Sequence, residues 1–265
     1  MMELRRELKA GRTAVGSWIN TCSAVTAELM AAVGFDFLAV DAEHSAADLP
    51  QAQALFQAIR AGSPDCAPLV RLPGHDYAMV KRFLDAGALG VIAPLINAPE
   101  QAEEVVRAVK YPPEGARGVG FCRANMYGMR FEEEMRSAND RTLVCVQIEH
   151  ADGVERADEI LSVPGVDAAF IGPYDLSASM GITGQLNHPQ MQAARRRVLE
   201  AAGRHGVAAG IHVVRPDVDE FMERWREGYR FIAYSLDVTM LIEACHTGLA
   251  AIRHRLTAQQ ERTGL

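Results

Sequence analysis

The feature that most constrains the fold of this 265-residue chain is an eightfold alternation of short apolar runs with longer amphipathic segments. The short runs predict strands at 13–20, 36–41, 67–72, 89–94, 142–149, 167–172, 207–213 and 230–234. Most are apolar on both faces, which is typical of parallel strands covered by helices. Between them, apolar residues recur at helical spacing, as at Val80, Phe83 and Leu84. The alternation allows a closed barrel or a doubly wound open sheet. Strand number and length favour an α/β protein with a (β/α)8 TIM barrel as a single domain over 1–265.

Composition excludes several classes of protein. The net charge of -7 argues against a nucleic-acid partner, because phosphates would be repelled. No apolar run is long enough to predict a membrane span. The five cysteines are odd in number and lack metal-ligand spacing, and the charged first residues precede no apolar signal core. We therefore expect reduced thiols and a cytoplasmic protein.

The connection 111–130, between the fourth and fifth predicted strands, departs from the regular alternation of strands and helices. It is long and rich in Gly and Pro. Loops of this length usually carry function or are mobile.

Polar residues collect where predicted strands end, which is where the active sites of such barrels lie. They are Asp41, Glu43 and His44 after the second strand, Arg71 at the end of the third, Gln147 and Glu149 on the fifth, and Asp175 just past the sixth. Any one of them has the simple alternative of a surface charge. Because four strand ends carry such groups together, we favour a functional site. Gln147 and Glu149 are two residues apart and should share one face of their strand.

These residue types point to chemistry on a 2-oxo acid. Carboxylates in a thiol-poor site suit a divalent ion such as Mg²⁺ or Mn²⁺, with Co²⁺ or Zn²⁺ as alternatives. Such an ion would stabilise the enolate that forms when a carbon–carbon bond beside the oxo group breaks. Arg71 could supply a second positive charge, and His44 is the natural proton acceptor.

A lysine Schiff base is the competing way to stabilise such an enolate. The chain has three lysines, Lys9, Lys81 and Lys110, and none falls at the carboxyl end of a predicted strand. The sequence therefore argues against that mechanism.

Each of two further residues has two possible structural roles. Trp18, near the end of the first strand, either lines the substrate pocket or fills the barrel. His212, at the end of the seventh strand, either faces the site or is structural.

At these residues the sequence resembles the HpcH/HpaI aldolase family of metal-dependent (class II) pyruvate aldolases. The likeness runs nearly end to end. It is carried by GFDFLAVDAEH, VRLPG, KRFLDAGA, YPPEGARGVG, LVCVQIE, GVDAAFIGPYDLSASMG and FIAYSLD.

The resemblance assigns roles to individual residues. It implies that His44 is the proton acceptor, that Arg71 stabilises the transition state and that Asp85 increases the basicity of the histidine. The implied metal ligands are Glu149 and Asp175. Asp41 and Glu43, at the end of the second predicted strand, are expected to lie around them. The oxo acid would be held by Gln147 and the segment Gly172, Pro173 and Tyr174, beside Trp18.

The resemblance also implies a homo-oligomer, hexameric or trimeric, whose last helix packs on a neighbouring subunit. The expected reaction is reversible cleavage of 4-hydroxy-2-oxo acids to pyruvate, or a hydroxylated analogue, and an aldehyde. The alternatives are a citrate-lyase-type CoA-thioester lyase and a catalytically silent barrel that acts as a binding protein. Departures from the family pattern at Tyr174, in CRANMYG and in YSLD fall in loops, so the physiological aldehyde stays open.

Overall fold

The barrel is closed by eight parallel strands, as the alternation predicts. The computed structural model describes residues 4–263. Its strands are β1 (Ala14–Ile19), β2 (Phe37–Asp41), β3 (Ala67–Arg71), β4 (Gly90–Ala93), β5 (Leu143–Ile148), β6 (Ala168–Ile171), β7 (Ala208–Val213) and β8 (Phe231–Leu236). Each strand pairs with the next in the sequence, and β8 pairs with β1 to close the sheet. Strand existence and order are confirmed, and no predicted boundary differs from the observed one by more than two residues.

Helices surround the strands in alternation with them. They are α1 (Leu4–Lys9), α2 (Ala24–Val33), α3 (Leu49–Gly62), α4 (Tyr77–Asp85), α5 (Pro99–Val109), α6 (Phe131–Arg141), α7 (Ala151–Glu155), α8 (Ala157–Leu161), α9 (Pro173–Ser179), α10 (Pro189–His205), α11 (Val218–Glu227) and α12 (Asp237–Thr263). The predicted loop at 111–130 is irregular apart from a 3-10 turn at Arg123–Gly128. Side chains begin several helices: Asp48 forms a capping box at α3, and Asp76 accepts two backbone N–H groups at α4.

An aromatic plug fills the barrel interior. Phe231 lies 4.4 Å from Phe37 and 5.7 Å from Phe170, measured between ring centroids. Gly16 makes room for this packing, because a Cβ there would lie 2.4 Å from the Phe37 ring. The amino end of the barrel is closed by Leu4 and Leu8 of α1, which belong to the same interior cluster. The polar groups at the carboxyl end of the barrel therefore lie directly above a packed apolar interior.

The long helix α12 differs from the others because much of its apolar surface is exposed. The side chains of Leu241, Ile242, Leu249, Ile252 and Leu256 are between 48% and 65% exposed. The helix contacts the barrel at β1 and β8. None of the helices within residues 4–263 is long and apolar enough to cross a membrane.

Candidate active site

The barrel mouth carries a polar layer directly above the apolar interior. Along β5, Leu143 and Cys145 belong to the interior cluster, and Gln147 and Glu149 continue the same face at the carboxyl end. Both polar side chains are buried, and the amide Nε2 of Gln147 donates a hydrogen bond to Glu149 Oε2. Their spacing therefore places them side by side, as the period of a strand requires.

Asp41 and Arg71 form a two-point ion pair at the ends of β2 and β3. Arg71 Nε donates to Asp41 Oδ1 at 2.9 Å, and Nη2 donates to Oδ2 at 2.6 Å. Burial alone would raise the pKa of Asp41, but its hydrogen bonds and the charge of Arg71 outweigh burial and lower the pKa. The guanidinium also lies over the Trp18 ring, 4.6 Å from its centroid. Trp18 thus fills the barrel and supports Arg71 at the same time.

The two residues after Asp41 turn toward the same site. Asp41 Oδ1 accepts the backbone N–H groups of Glu43 and His44 at 3.1 Å each, which folds the chain back over the strand end. Glu43 Oε2 lies 3.3 Å from Arg71 Nε and 3.8 Å from His44 Nε2. Burial is the main cause of a raised pKa at Glu43. His44 is 58% exposed at the side chain, so a substrate entering the mouth can reach it.

Asn20 and Asp237 hold the Asp41–Arg71 ion pair in place, although no sequence motif marks them. Asn20 Nδ2 donates to Asp41 Oδ2 at 2.9 Å. Asp237, at the first position of α12, accepts the backbone N–H of Asn20 at 3.0 Å and of Thr21 at 2.9 Å. No local pattern marks these residues, because their partners lie more than 20 residues away in the chain.

Glu149 is a buried carboxylate whose environment favours its neutral form. Burial raises its pKa to about 7, against the opposing effect of a 2.9 Å hydrogen bond from the backbone N–H of Leu95. Leu95 adopts a left-handed backbone conformation to present that N–H. A Cβ on Gly172 would lie 2.4 Å from Glu149 Oε2, so only glycine fits beside this carboxylate.

Asp175 lies in the first turn of α9, directly after β6, and its side chain is exposed. Its charge helps to raise the pKa of both Glu149 and Glu43, so the three carboxylates interact across the mouth. Pro173 begins α9, and the Tyr174 carbonyl accepts a hydrogen bond from Ser177 Oγ at 2.7 Å. Among the residues described, no set of three or more His, Cys, Asp or Glu side chains is placed to hold a metal ion. A cation here would depend on two protein carboxylates and complete its shell with water or substrate, a mode that Mg²⁺ commonly adopts.

Asp85 does not join His44 within the chain. It ends α4, five residues before β4 begins at the amino end of the barrel. Its Oδ1 accepts from Arg117 Nη2 at 2.8 Å, and its Oδ2 lies 3.6 Å from Lys81 Nζ. The carboxylate that contacts His44 is Glu43. The expectation that Asp85 acts on His44 therefore has no support from the contacts within one chain.

The three lysines all lie away from the mouth. Lys9 pairs with Asp167, just before β6, and Lys81 lies beside Asp85. Burial lowers the pKa of Lys110 to about 8, but its ammonium group donates to the carbonyls of Asn139 and Thr142, just before β5. None of these positions lets a lysine attack a substrate at the strands' carboxyl ends.

His212 faces the barrel interior below the mouth. Its ring lies 5.8 Å from that of Trp18, and its Nε2 lies 3.2 Å from the Ser235 carbonyl oxygen. Burial lowers its pKa to about 4, so the ring is neutral near pH 7 and Nε2 donates to the carbonyl. His212 therefore has a structural hydrogen bond to Ser235 and also lies beside Trp18 at the edge of the candidate active site.

Comparison with known proteins agrees with this geometry. Residues 14–244 match the family model described as HpcH/HpaI aldolase/citrate lyase. The chain belongs to this family. It is 38% identical over 240 residues to a hydroxypyruvate/pyruvate aldolase of Roseobacter denitrificans, covering 90% of this chain and 92% of that protein.

Two further proteins are similar to this chain over most of their length. A 4-hydroxy-2-oxo-heptane-1,7-dioate aldolase of Klebsiella pneumoniae is 38% identical over 253 residues, which cover 94% of this chain and 93% of that protein. The crystal structure of an HpcH/HpaI aldolase/citrate lyase family protein from Burkholderia cenocepacia has a TM-score of 0.91 at 37% identity. That match covers 96% of this chain and 100% of the other. Both the barrel and the family suggested by the motifs are thereby confirmed.

Proposed function

We propose that this chain is an aldolase that reversibly cleaves 4-hydroxy-2-oxo acids to pyruvate, or to hydroxypyruvate, and an aldehyde. Membership of the HpcH/HpaI family and relatives named as pyruvate-type aldolases support this proposal. The observation that carries it is the polar layer at the mouth, which holds the Asp41–Arg71 pair beside Trp18 and the buried Gln147–Glu149 pair.

We further propose that Glu149 and Asp175 hold a divalent cation of the Mg²⁺ or Mn²⁺ type. The donors fit such an ion because all of them are oxygens. The two carboxylates also repel each other, and a cation between them would relieve that repulsion. Gln147 Oε1 is buried and has no hydrogen-bond partner, so it adds an unsatisfied acceptor to the same place. When bound, the ion would polarise the ketone and carboxylate oxygens of the oxo acid.

In the proposed reaction, each residue at the mouth has a separate role. His44 accepts the proton of the C4 hydroxyl while the C3–C4 bond breaks and releases the aldehyde. The electron pair of that bond passes to the oxo acid as its enolate, and Arg71, held by Asp41, donates hydrogen bonds to the developing negative charge. Proton transfer to C3 completes pyruvate. The Trp18 ring and the Gly172 backbone limit the space beside the oxo acid.

The test is cleavage of a series of 4-hydroxy-2-oxo acids with coupled detection of pyruvate, before and after treatment with EDTA. We expect loss of activity with the chelator and recovery with Mg²⁺ or Mn²⁺. Glu149→Gln and Asp175→Asn should lose cation binding, whereas Asp152→Asn, at an exposed carboxylate on α7, should not. His44→Ala should slow cleavage while metal affinity stays near that of the wild type.

Two results would count against the proposal. Activity that survives complete removal of metal would remove the cation from the mechanism. Trapping of a pyruvate adduct by borohydride would show a Schiff base instead.

A further inference from the structure

A cavity of about 220 Å³ lies at the opposite end of the barrel from the proposed active site. Leu89 and Thr142, which directly precede β4 and β5, form part of its wall. Five arginines also line it: Arg60, Arg117, Arg123, Arg130 and Arg141. We call this cavity the arginine pocket.

The charges of the pocket are only partly compensated. Arg117 pairs with Asp85, and Arg141 pairs with Glu134. Glu133 is a further carboxylate of the wall, and Asp65 lies near Arg60. Within residues 4–263, neither Arg123 nor Arg130 forms an ion pair, and the guanidinium of Arg123 contacts the Met126 sulfur at 3.5 Å. Two positive side chains therefore face the cavity without a carboxylate of their own.

Three buried donors in the pocket also lack acceptors. The Nε atoms of Arg117, Arg123 and Arg141 are buried and have no hydrogen-bond partner. A buried donor that finds no acceptor destabilises the fold. These atoms lie within the wall of the pocket, and the positive side chains that line the cavity favour a ligand that offers several acceptor oxygens.

The backbone holds the arginines in place. Gly87 has a φ of +113°, and a Cβ there would lie 3.3 Å from Arg123 Cγ, so the glycine lets this side chain pack closely. Asn125 is buried and ties the surrounding loop together through its side-chain bonds to Cys122, Gly128 and Gly120. The pocket is thus a shaped part of the fold and not a chance meeting of surface chains.

We propose that the arginine pocket binds a small oxyanion, through a phosphate or a carboxylate group, at a site separate from the barrel mouth. The planar fork of a guanidinium can bond two oxygens of either group, and the charge adds strength to each bond. The proposal does not depend on the reaction assigned to the mouth.

The experiment is a calorimetric titration of the full chain with inorganic phosphate and, separately, with succinate, at constant ionic strength. Arg123→Gln and Arg130→Gln are each compared with Arg136→Gln, which removes a 73% exposed arginine from the neighbouring helix α6. We expect the affinity for at least one anion to fall tenfold or more in both pocket variants. The control should stay within twofold of the wild type. The preferred anion distinguishes a phosphate from a carboxylate ligand.

Arg71→Ala separates this site from the mouth, where the half-buried Arg71 guanidinium is another group that can bind an anion. Binding that persists in Arg71→Ala and disappears in Arg130→Gln supports the arginine pocket. Arg130 is exposed, so its variant should fold even if Arg123→Gln does not. Equal affinities in Arg130→Gln and Arg136→Gln, or no binding of either anion, would overturn the proposal.

Discussion

Asp41 and Arg71 occupy directly paired positions of β2 and β3, and their side chains meet in two parallel hydrogen bonds of 2.9 and 2.6 Å. The pair lies at the mouth, with Trp18 on one side and Asn20 on another. Because both atoms of the guanidinium fork that face Asp41 are engaged, the remaining N–H groups of Arg71 have a defined direction. The fold therefore sets the direction of the charge that the proposed reaction uses.

Asp41→Asn should weaken this arrangement without changing its shape. Breaking a fully buried ion pair costs about 3–5 kcal/mol of stability. The loss here should lie below that range, because the Arg71 side chain is 15% exposed and keeps Glu43 beside it. A slight misplacement of a reacting group can reduce the rate about 100-fold, so we expect kcat/KM, measured by pyruvate release, to fall by about that factor and the free energy of unfolding, measured by denaturant titration, to fall less. Asp48→Asn, at the beginning of α3, is the control, since asparagine caps a helix as well as aspartate does. Equal kcat/KM in the two variants would contradict the role of Asp41.

Asn20→Ala should act on Arg71 through Asp41. Loss of a hydrogen bond to a charged group corresponds to about 1.5–3 kcal/mol, so kcat should fall about tenfold or more, with metal affinity unchanged. The exposed Asn187→Ala serves as the control. If Asn20→Ala lowers thermal stability but leaves kcat intact, Asn20 only anchors its loop.

Gly172→Ala should disable the mouth because the new methyl group would occupy the position of the Glu149 carboxylate. We expect cation binding, measured by calorimetry, to weaken together with activity. Gly203→Ala is a matched substitution on the exposed side of α10, where a Cβ meets nothing within 4 Å. It should leave activity unchanged and add up to about 1 kcal/mol of stability, since alanine favours a helix. Normal cation binding in Gly172→Ala would show that Glu149 can move aside.

His212 should make stability depend on pH. Its folded pKa, about 4, lies below the ordinary value of 6.5, so between these values the unfolded chain binds a proton that the folded chain does not. Stability is therefore lost as pH falls from about 6.5 toward 4, by at most about 3 kcal/mol. His212→Gln keeps a donor for the Ser235 carbonyl but does not titrate. Denaturant unfolding at pH 7 and pH 5 should show a smaller loss for this variant than for the wild type, and parallel losses would assign the acid sensitivity to other groups.

The exposed apolar residues of α12 predict association with another copy of the chain through this helix. Leu249, Ile252 and Leu256 follow one another at helical spacing and are about half exposed. Exposed apolar patches of this kind often mark protein–protein contacts. Leu249→Glu with Ile252→Glu should reduce the mass measured by light scattering, while Arg253→Glu, a charged position on the same helix, should reduce it less. A monomeric wild-type protein would refute this prediction.

The local pattern of the chain was enough to predict the barrel and half of its mouth. Alternation along β5 placed Gln147 and Glu149 on one inward face, and position at a strand end placed Arg71 and Asp41 nearby. These inferences hold because side-chain direction in a strand depends only on the period of two and on which face is buried.

Partnership between distant residues was decided by the tertiary structure alone. The resemblance pairs Asp85 with His44, whereas within one chain the structure pairs Asp85 with Arg117, 32 residues further along. The Leu95 amide reached Glu149, and Asn20 reached Asp41, through contacts that no spacing in the sequence encodes. The physical reason is that periodicity reports the direction of a side chain relative to its own backbone, whereas a hydrogen-bond partner depends on how segments far apart in the chain pack against each other.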